Sequence, residues 1–241
     1  MGFAKGKKDQ LGDDSGAKVL PVLLHGDAAL AGQGIIYEPL QMEKLRGYFV
    51  GGTVNIVFNN QVGFTTEPTD GRSTRFSSGI GKSNDNLMIM VNADDPVKVR
   101  EAIRLGLDFR MEFEKDVFVE LIGYRKFGHN ENDNPRFTQP LMYRTIDAMK
   151  PMHQKYSEDL IARGVFTPEE VAGIYDHYYN GVIDREYNIA KENQIDPSIY
   201  NLNKNSYGEL AGDQKTGGRP ERFKEIGREL YAQDLGDFKV D

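Results

Sequence analysis

The chain contains no cysteine, which excludes disulfide frameworks, thiolate zinc centres and thiol nucleophiles and leaves oxygen and imidazole to hold any metal. It also lacks an excess of positive charge. Thirty Lys and Arg against 37 Asp and Glu give a net charge of −7, the wrong sign for the clustered cations that a nucleic-acid backbone demands. Long apolar runs are missing as well: VLPVLL is among the longest and falls far short of the ~20 residues of a membrane-spanning helix. The opening MGFAKG has no signal-peptide core, no arginine-rich transit pattern and no Ser or Thr for myristoylation. The expectation is a soluble chain with no nucleic-acid or membrane partner and no targeting signal of its own. Hydrophobic residues make up only 39% of the 241, beside 26 glycines and 10 prolines, which suits one sizeable domain with a loop-rich outline and a polar tail.

What is present reads as alternating strands and helices. Residues 1–18 carry lysines, aspartates and glycines without a hydrophobic period and are expected to form a flexible, solvated lead-in. Residues 19–25 and 53–58 read as buried strands, with a helix over 28–45 between them. Residues 63–86 turn to Thr, Ser, Gly, Asp and Arg, a loop long enough to be functional or disordered. A short strand at 87–91 precedes Asp95-Pro96, which caps and opens a helix to about 114, and 117–123 is a further strand. The pattern predicts an α/β fold, a parallel sheet flanked by helices. From about 139 a helical extension follows, in which Thr167-Pro168-Glu169-Glu170 is a capping box opening a helix to about 193. One domain over 19–195 and a polar tail over 196–241, with a short helix near 220–233, complete the expected organisation.

In a parallel sheet, ligands bind beyond the carboxyl ends of the strands, and Asp27, Asn60 and His129 each follow a predicted strand. Taken singly, Asp27 and Asn60 read first as caps of the turns behind them. As a pair, a carboxylate and an amide carbonyl joined by a backbone carbonyl form a hard oxygen set suited to Mg²⁺. His129, between Gly128 and Pro135, is either a solvated loop residue or a group that donates to phosphate or moves protons near neutral pH. His25 adjoins the proposed ligand and has a structural reading too, while His153 and His177 receive no role. Gly81-Lys82-Ser83 imitates the end of a P-loop, but Phe76 stands where its first glycine is required. Arg72, Arg75 and Lys82 are read as loop solvation in preference to anion contacts.

The segments HGDAALAGQG, NNQVGFTT and YRKFGHNENDNPRFTQPLMY resemble the thiamine-diphosphate-dependent decarboxylating component of the 2-oxoglutarate dehydrogenase complex, including its relatives acting on 2-oxoadipate. The resemblance covers about residues 19–186, with three long motifs in order. It implies a thiamine diphosphate-binding fold in which Asp27, Asn60 and the main-chain carbonyl of Val62 hold Mg²⁺. Asp27, Ala28, Ala29, Asn60, Val62 and His129 would contact the cofactor, with His129 also a catalytic candidate. Where the broader family has a second glycine directly after GD, this sequence has Ala28, which agrees with the 2-oxoglutarate branch. The implied activity is that of an oxidoreductase of the tricarboxylic acid cycle, decarboxylating a 2-oxoacid and passing the acyl group to a lipoyl arm. The implied partners are the dihydrolipoyl acyltransferase and dihydrolipoyl dehydrogenase of the complex, around a homodimer. The implied compartment is the mitochondrial matrix in a eukaryote or the cytoplasm in a bacterium. Only the diphosphate-binding domain is matched. The upstream histidine motifs and the pyrimidine-binding domain with its activating glutamate have no counterpart, so a fragment, a truncated non-catalytic product, or a subunit completed by a separate pyrimidine-domain chain are the expected alternatives.

Overall fold

Four runs of β-branched and apolar residues form a single parallel sheet: β1 (Val22–Gly26), β2 (Val54–Asn59), β3 (Leu87–Asn92) and β4 (Val117–Ile122), in the spatial order β1-β2-β4-β3. The computed structural model describes residues 1–130 and 132–193. Side chains alternate across a strand, so the sheet has two distinct faces. One face packs Val57, Phe118 and Met88 against Leu30, Ile36 and Leu40 from α2 (Asp27–Gly32), α3 (Tyr37–Met42) and the residue before α3, and against Ile80 of a 3-10 helix (Ser77–Asn84). The other packs Val54, Val117, Val119 and Leu121 against Val99, Ala102, Ile103 and Phe109 of α5 (Pro96–Phe113). Lying between β2 and β3 and covered on both faces, β4 is apolar without alternation at Val117, Phe118 and Val119, all fully enclosed. The expected α/β sheet flanked by helices is therefore present.

The start of α5 follows directly from its residues. Asp95 Oδ1 accepts from the Lys98 backbone N–H at 3.0 Å and Pro96 takes the first turn, where its missing N–H costs nothing. Replacing Asp95 with alanine is expected to lower unfolding stability by about 1 kcal/mol. A urea titration reads this directly, and an unchanged midpoint would show that the cap contributes nothing.

The lead-in differs from expectation. A helix, α1 (Gly2–Leu11), stands in place of the solvated segment, closed by Gly12 in the left-handed conformation at φ 56°. Its cause is tertiary. Ala4 and Lys8 are buried, and Lys8 Nζ donates to the Asp14 carbonyl while lying 4.8 Å from the Phe49 ring centroid. Asp13 then accepts the backbone N–H groups of Gly16, Ala17 and Lys18. Arg110 of α5 ties this segment to the amino-terminal edge of the sheet by donating to the carbonyls of Gly16, Val19, Val50 and Gly52 at 2.8 to 3.2 Å. The single helix expected over 28–45 is likewise two short ones, interrupted where Gly34 takes φ 76°.

The long segment after β2 carries α4 (Pro68–Gly71) before the 3-10 helix. Beyond β4 come α6 (Pro140–Ala148) and α7 (Met152–Ala162), followed by α8 (Pro168–Tyr178). The capping box forms in full: Thr167 Oγ1 accepts from the Glu170 N–H at 3.2 Å, and Glu170 Oε2 accepts from the Thr167 N–H at 2.8 Å. The chain divides into two compact units, Met1–Val171 and Ala172–Asp241. The described residues of the second are helical almost throughout, passing from α8 through a π-helical turn (Tyr179–Asp184) into α9 (Arg185–Glu192), with Tyr175 and Tyr179 stacked at 5.8 Å. The tail and the helix near 220–233 lie outside the described residues. Among the described residues no helix is long and apolar enough to cross a membrane.

Candidate functional site

The carboxyl ends of β1 and β2 lie side by side, since Gly26 pairs with Phe58. Asp27 and Asn60 thus leave the sheet at the same edge, one and two residues beyond that pair. Asp27 opens α2 and is 2% exposed. Burial pushes its carboxyl above the usual aspartate range, opposed by the charge and hydrogen bond of Arg72, whose Nη1 sits 3.0 Å from Asp27 Oδ2. A cavity of about 200 Å³ opens beside them, lined among others by Asp27, Ala28, Gly63, Thr66 and Arg72.

Beyond β2 the chain turns by two successive side-chain to backbone bonds. Asn59 Oδ1 accepts from the Gln61 N–H and Asn60 Oδ1 from the Val62 N–H, each at 3.0 Å, with Gln61 at φ 63°. Gln61 Nε2 donates to the Gly123 carbonyl at 2.7 Å, fastening the turn to the end of β4. Val62 is buried against Tyr143 and Ile146 of α6. The turn then returns to α2, where a Cβ placed on Gly63 would lie 3.4 Å from that of Ala28.

The turn is anchored from below by Glu120, a carboxylate wholly enclosed within β4. Its oxygens accept from Asn59 Nδ2 at 2.6 Å, from the Ser77 and Ser78 backbone N–H groups at 3.1 and 3.0 Å, and from both serine hydroxyls. Burial alone would raise its pKa. The bonds from Ser78, Ser77 and Asn59 together outweigh it and hold the carboxyl below the usual glutamate range. Sequence reasoning missed this residue, although a lone charge inside the apolar run VFVELIG is the signal that marks it.

His129 reaches the same corner from the loop after β4. Its ring meets Phe64 edge-on at 5.0 Å, just past the Val62–Gly63 turn. The loop is folded by Asp133 Oδ2, which accepts from the His129 N–H at 2.9 Å, and by Arg125 Nη2, which donates to the His129 carbonyl. Gly128 is needed here, because a Cβ would come 2.1 Å from the Asp133 carbonyl oxygen.

The family model described as Dehydrogenase E1 component matches residues 2–198. The chain belongs to this family. It is 47% identical over 159 residues to a probable 2-oxoadipate dehydrogenase complex component E1 homolog of Dictyostelium discoideum, covering 66% of this chain and 18% of that protein. It is 47% identical over 180 residues to the 2-oxoglutarate dehydrogenase E1 component of Brucella anthropi, covering 71% and 18%. It is 37% identical over 239 residues to the mitochondrial 2-oxoglutarate dehydrogenase of Dictyostelium discoideum, covering 98% and 24%. The chain thus spans about a fifth to a quarter of the length of these relatives.

Within this E1 family chain, the sequence-derived candidates gather at one edge without all sharing one cavity. Asp27 and Ala28 line the small cavity, with exposed Ala29 next in α2. Asn60 lines a larger space of about 660 Å³ beyond the ends of β2, β3 and β4, with Asn92, Tyr124 and Met149 among its walls. His129 borders a third, of about 520 Å³, on its own loop. His25 is accounted for by its bond to Asn55 Oδ1 at 3.0 Å. Arg75 lies over the Phe76 ring in the loop, and Lys82 is exposed on the 3-10 helix. Arg72 corrects the sequence reading: its side chain is 8% exposed and pairs with Asp27, so it is not loop solvation.

Proposed function

We propose that this chain supplies the Mg²⁺- and diphosphate-binding half of a thiamine diphosphate-dependent 2-oxoacid dehydrogenase E1 component. The activity it serves is decarboxylation of 2-oxoglutarate, or of the homologous 2-oxoadipate, with acyl transfer to a lipoyl group. The supporting observation is Asp27, a buried carboxylate at the carboxyl end of β1, facing a cation and adjoining the turn that carries Asn60 and Val62. The chemistry present fits the group. The desolvated Asp27 carboxylate calls for a cation, and the buried Arg72 Nε, which has no hydrogen-bond partner among the described residues, calls for an anion. A magnesium diphosphate satisfies both.

In this reading Asp27 and Asn60 offer side-chain oxygens and Val62 its carbonyl to Mg²⁺, a hard-oxygen set that leaves further positions for water and phosphate. Ala28 and Ala29 present no side chain beyond a methyl beside the phosphates. His129 donates from its ring to a phosphate oxygen. Thiamine diphosphate, when bound, supplies the carbon nucleophile and electron sink. The protein's part is to fix the cofactor by its diphosphate at the sheet edge. By family, the setting is the tricarboxylic acid cycle complex with its dihydrolipoyl acyltransferase and dihydrolipoyl dehydrogenase, around an E1 homodimer, in the mitochondrial matrix or bacterial cytoplasm.

A second reading is a subunit completed by a separate pyrimidine-domain chain. It is favoured by the exposed row Val22, Leu24 and Phe58 on β1 and β2. Calorimetric titration with thiamine diphosphate and Mg²⁺ tests the leading claim. Binding heat is expected for the wild type and none for Asp27→Ala, and a wild type without heat would overturn it. Recovery of a pyrimidine-domain chain in a pull-down would establish the subunit reading.

A further inference from the structure

The segment that follows the Val62–Gly63 turn is folded back over Asp27. Gly63 and Thr66 exchange backbone hydrogen bonds at 2.9 Å, α4 makes one turn, and Arg72 follows in extended conformation with its N–H on the Pro68 carbonyl. Its guanidinium then reaches an oxygen of a residue 45 positions earlier. Both side chains are almost fully enclosed, at 8% and 3% exposure. Surface attraction does not explain such a pair, because taking both charges out of water costs several kcal/mol and is compensated only by good geometry and full hydrogen bonding. That condition is not met among the described residues, where Arg72 Nε has no acceptor. A planar fork with a spare donor, on a residue that lines a cavity of about 200 Å³, is suited to take an anion as well as a carboxylate once it turns.

We infer that Arg72 is an exchangeable counter-cation: it occupies Asp27 in the metal-free protein, gives way to the divalent cation, and turns its guanidinium to the diphosphate oxygen that arrives with it. The inference rests on the proposed magnesium site and deepens it. A divalent cation binds a carboxylate oxygen at 2.0 to 2.1 Å, and two cations on one enclosed carboxylate repel strongly in a medium of low dielectric. Metal alone must therefore displace Arg72 and leave it buried without an anion. Metal together with diphosphate leaves every charge paired. Arg72 thus penalises a bare metal ion and favours the metal–diphosphate pair, which makes the two components bind interdependently.

The test measures Mn²⁺ alone, by paramagnetic resonance, and then thiamine diphosphate at saturating Mn²⁺, on wild type, Arg72→Met and Asp27→Asn. Arg72→Met is expected to bind Mn²⁺ about tenfold more tightly than wild type and thiamine diphosphate about tenfold more weakly. Asp27→Asn should lose the Mn²⁺ site. Arg72→Gln, which keeps a donor for Asp27 without the charge, is the variant to compare if a thermal melt shows that Arg72→Met does not fold. Mn²⁺ affinity unchanged or weakened in the Arg72 variant overturns the inference, as does absence of Mn²⁺ binding in both proteins. A wild type that takes no thiamine diphosphate while the Arg72 variant gains Mn²⁺ affinity through Asp27 would sink the cofactor assignment and leave the exchange standing.

Discussion

Glu120→Gln is expected to lower the stability of the first unit by about 3 kcal/mol and to loosen the turn that carries Asn60. The carboxylate lies inside the sheet, forms no ion pair among the described residues, and is held ionised by the five donors that converge on it. Hydrogen bonds to a charged group contribute about 1.5 to 3 kcal/mol each. Glutamine replaces one acceptor oxygen by an NH₂ group, which must confront either the Ser77 N–H together with the Asn59 amide, at the Oε1 position, or the Ser78 N–H, at the Oε2 position. The serine hydroxyls can rotate to accept, but a backbone N–H cannot. The pH dependence has a definite sign. A glutamate whose folded pKa lies below its unfolded value contributes stability above the unfolded pKa, and that contribution is lost as pH falls through the folded one. Urea unfolding at pH 7 and at pH 4 reads both effects. The gap between wild type and variant should be widest at pH 7 and narrow in acid, and equal gaps at the two pH values would show that the charge plays no part. Because Asn59 Oδ1 holds the Gln61 N–H, thiamine diphosphate affinity should fall as well, although Glu120 is not proposed to touch the cofactor.

The succession of strands and helices along the chain and the placement of Asp27, Asn60 and His129 after strands were legible because each depends on local pattern. A strand buried on both faces is apolar throughout, α5 carries its cap in Asp95-Pro96, and a parallel sheet opens its binding edge at the carboxyl ends. What was not legible depends on partners distant in sequence. The helix Gly2–Leu11 has no apolar period of its own and is held by Lys8 against Phe49 and by Asp13 on the following backbone. The Thr- and Ser-rich stretch after β2 reads as open loop until Ser77 and Ser78 are seen to close on Glu120, more than 40 positions away. Arg72 looks like loop solvation for the same reason: only the fold places Asp27 beneath it. In each case a polar residue is buried by a contact that no short-range period encodes. The interior charges Glu120 and Arg110 are the sequence-level clue that such contacts exist.

At the opposite, amino-terminal edge of the sheet, Asp116→Asn is expected to remove a pH dependence that opposes the one carried by Glu120. Asp116 is 4% exposed just before β4, and its Oδ1 accepts from the Thr53 N–H at 2.6 Å, which ties the starts of β2 and β4 together. Burial, with the nearby Glu43 carboxylate adding to it, pushes its pKa up to about 7, against the bond from Thr53 and the charge of Arg110. Glu43 is itself buried and engaged, accepting from the Asp116 N–H and from the side chains of Asn84 and Asn86. Between the unfolded value near 3.8 and the folded value near 7, the native state keeps a proton that the unfolded chain releases. Stability is therefore full below the unfolded pKa and is lost as pH rises through the folded one, by up to about 4 kcal/mol at 1.36 kcal/mol per unit. Asparagine matches the neutral acid in shape, keeps an oxygen for the Thr53 N–H and cannot ionise. Unfolding free energies at pH 3 and pH 8 should therefore nearly coincide for the two proteins at the lower pH and diverge at the higher, with the variant the more stable. Parallel pH profiles would mean that Asp116 is ionised throughout and that the pair with Glu43 is held apart by Arg110 instead of by a proton.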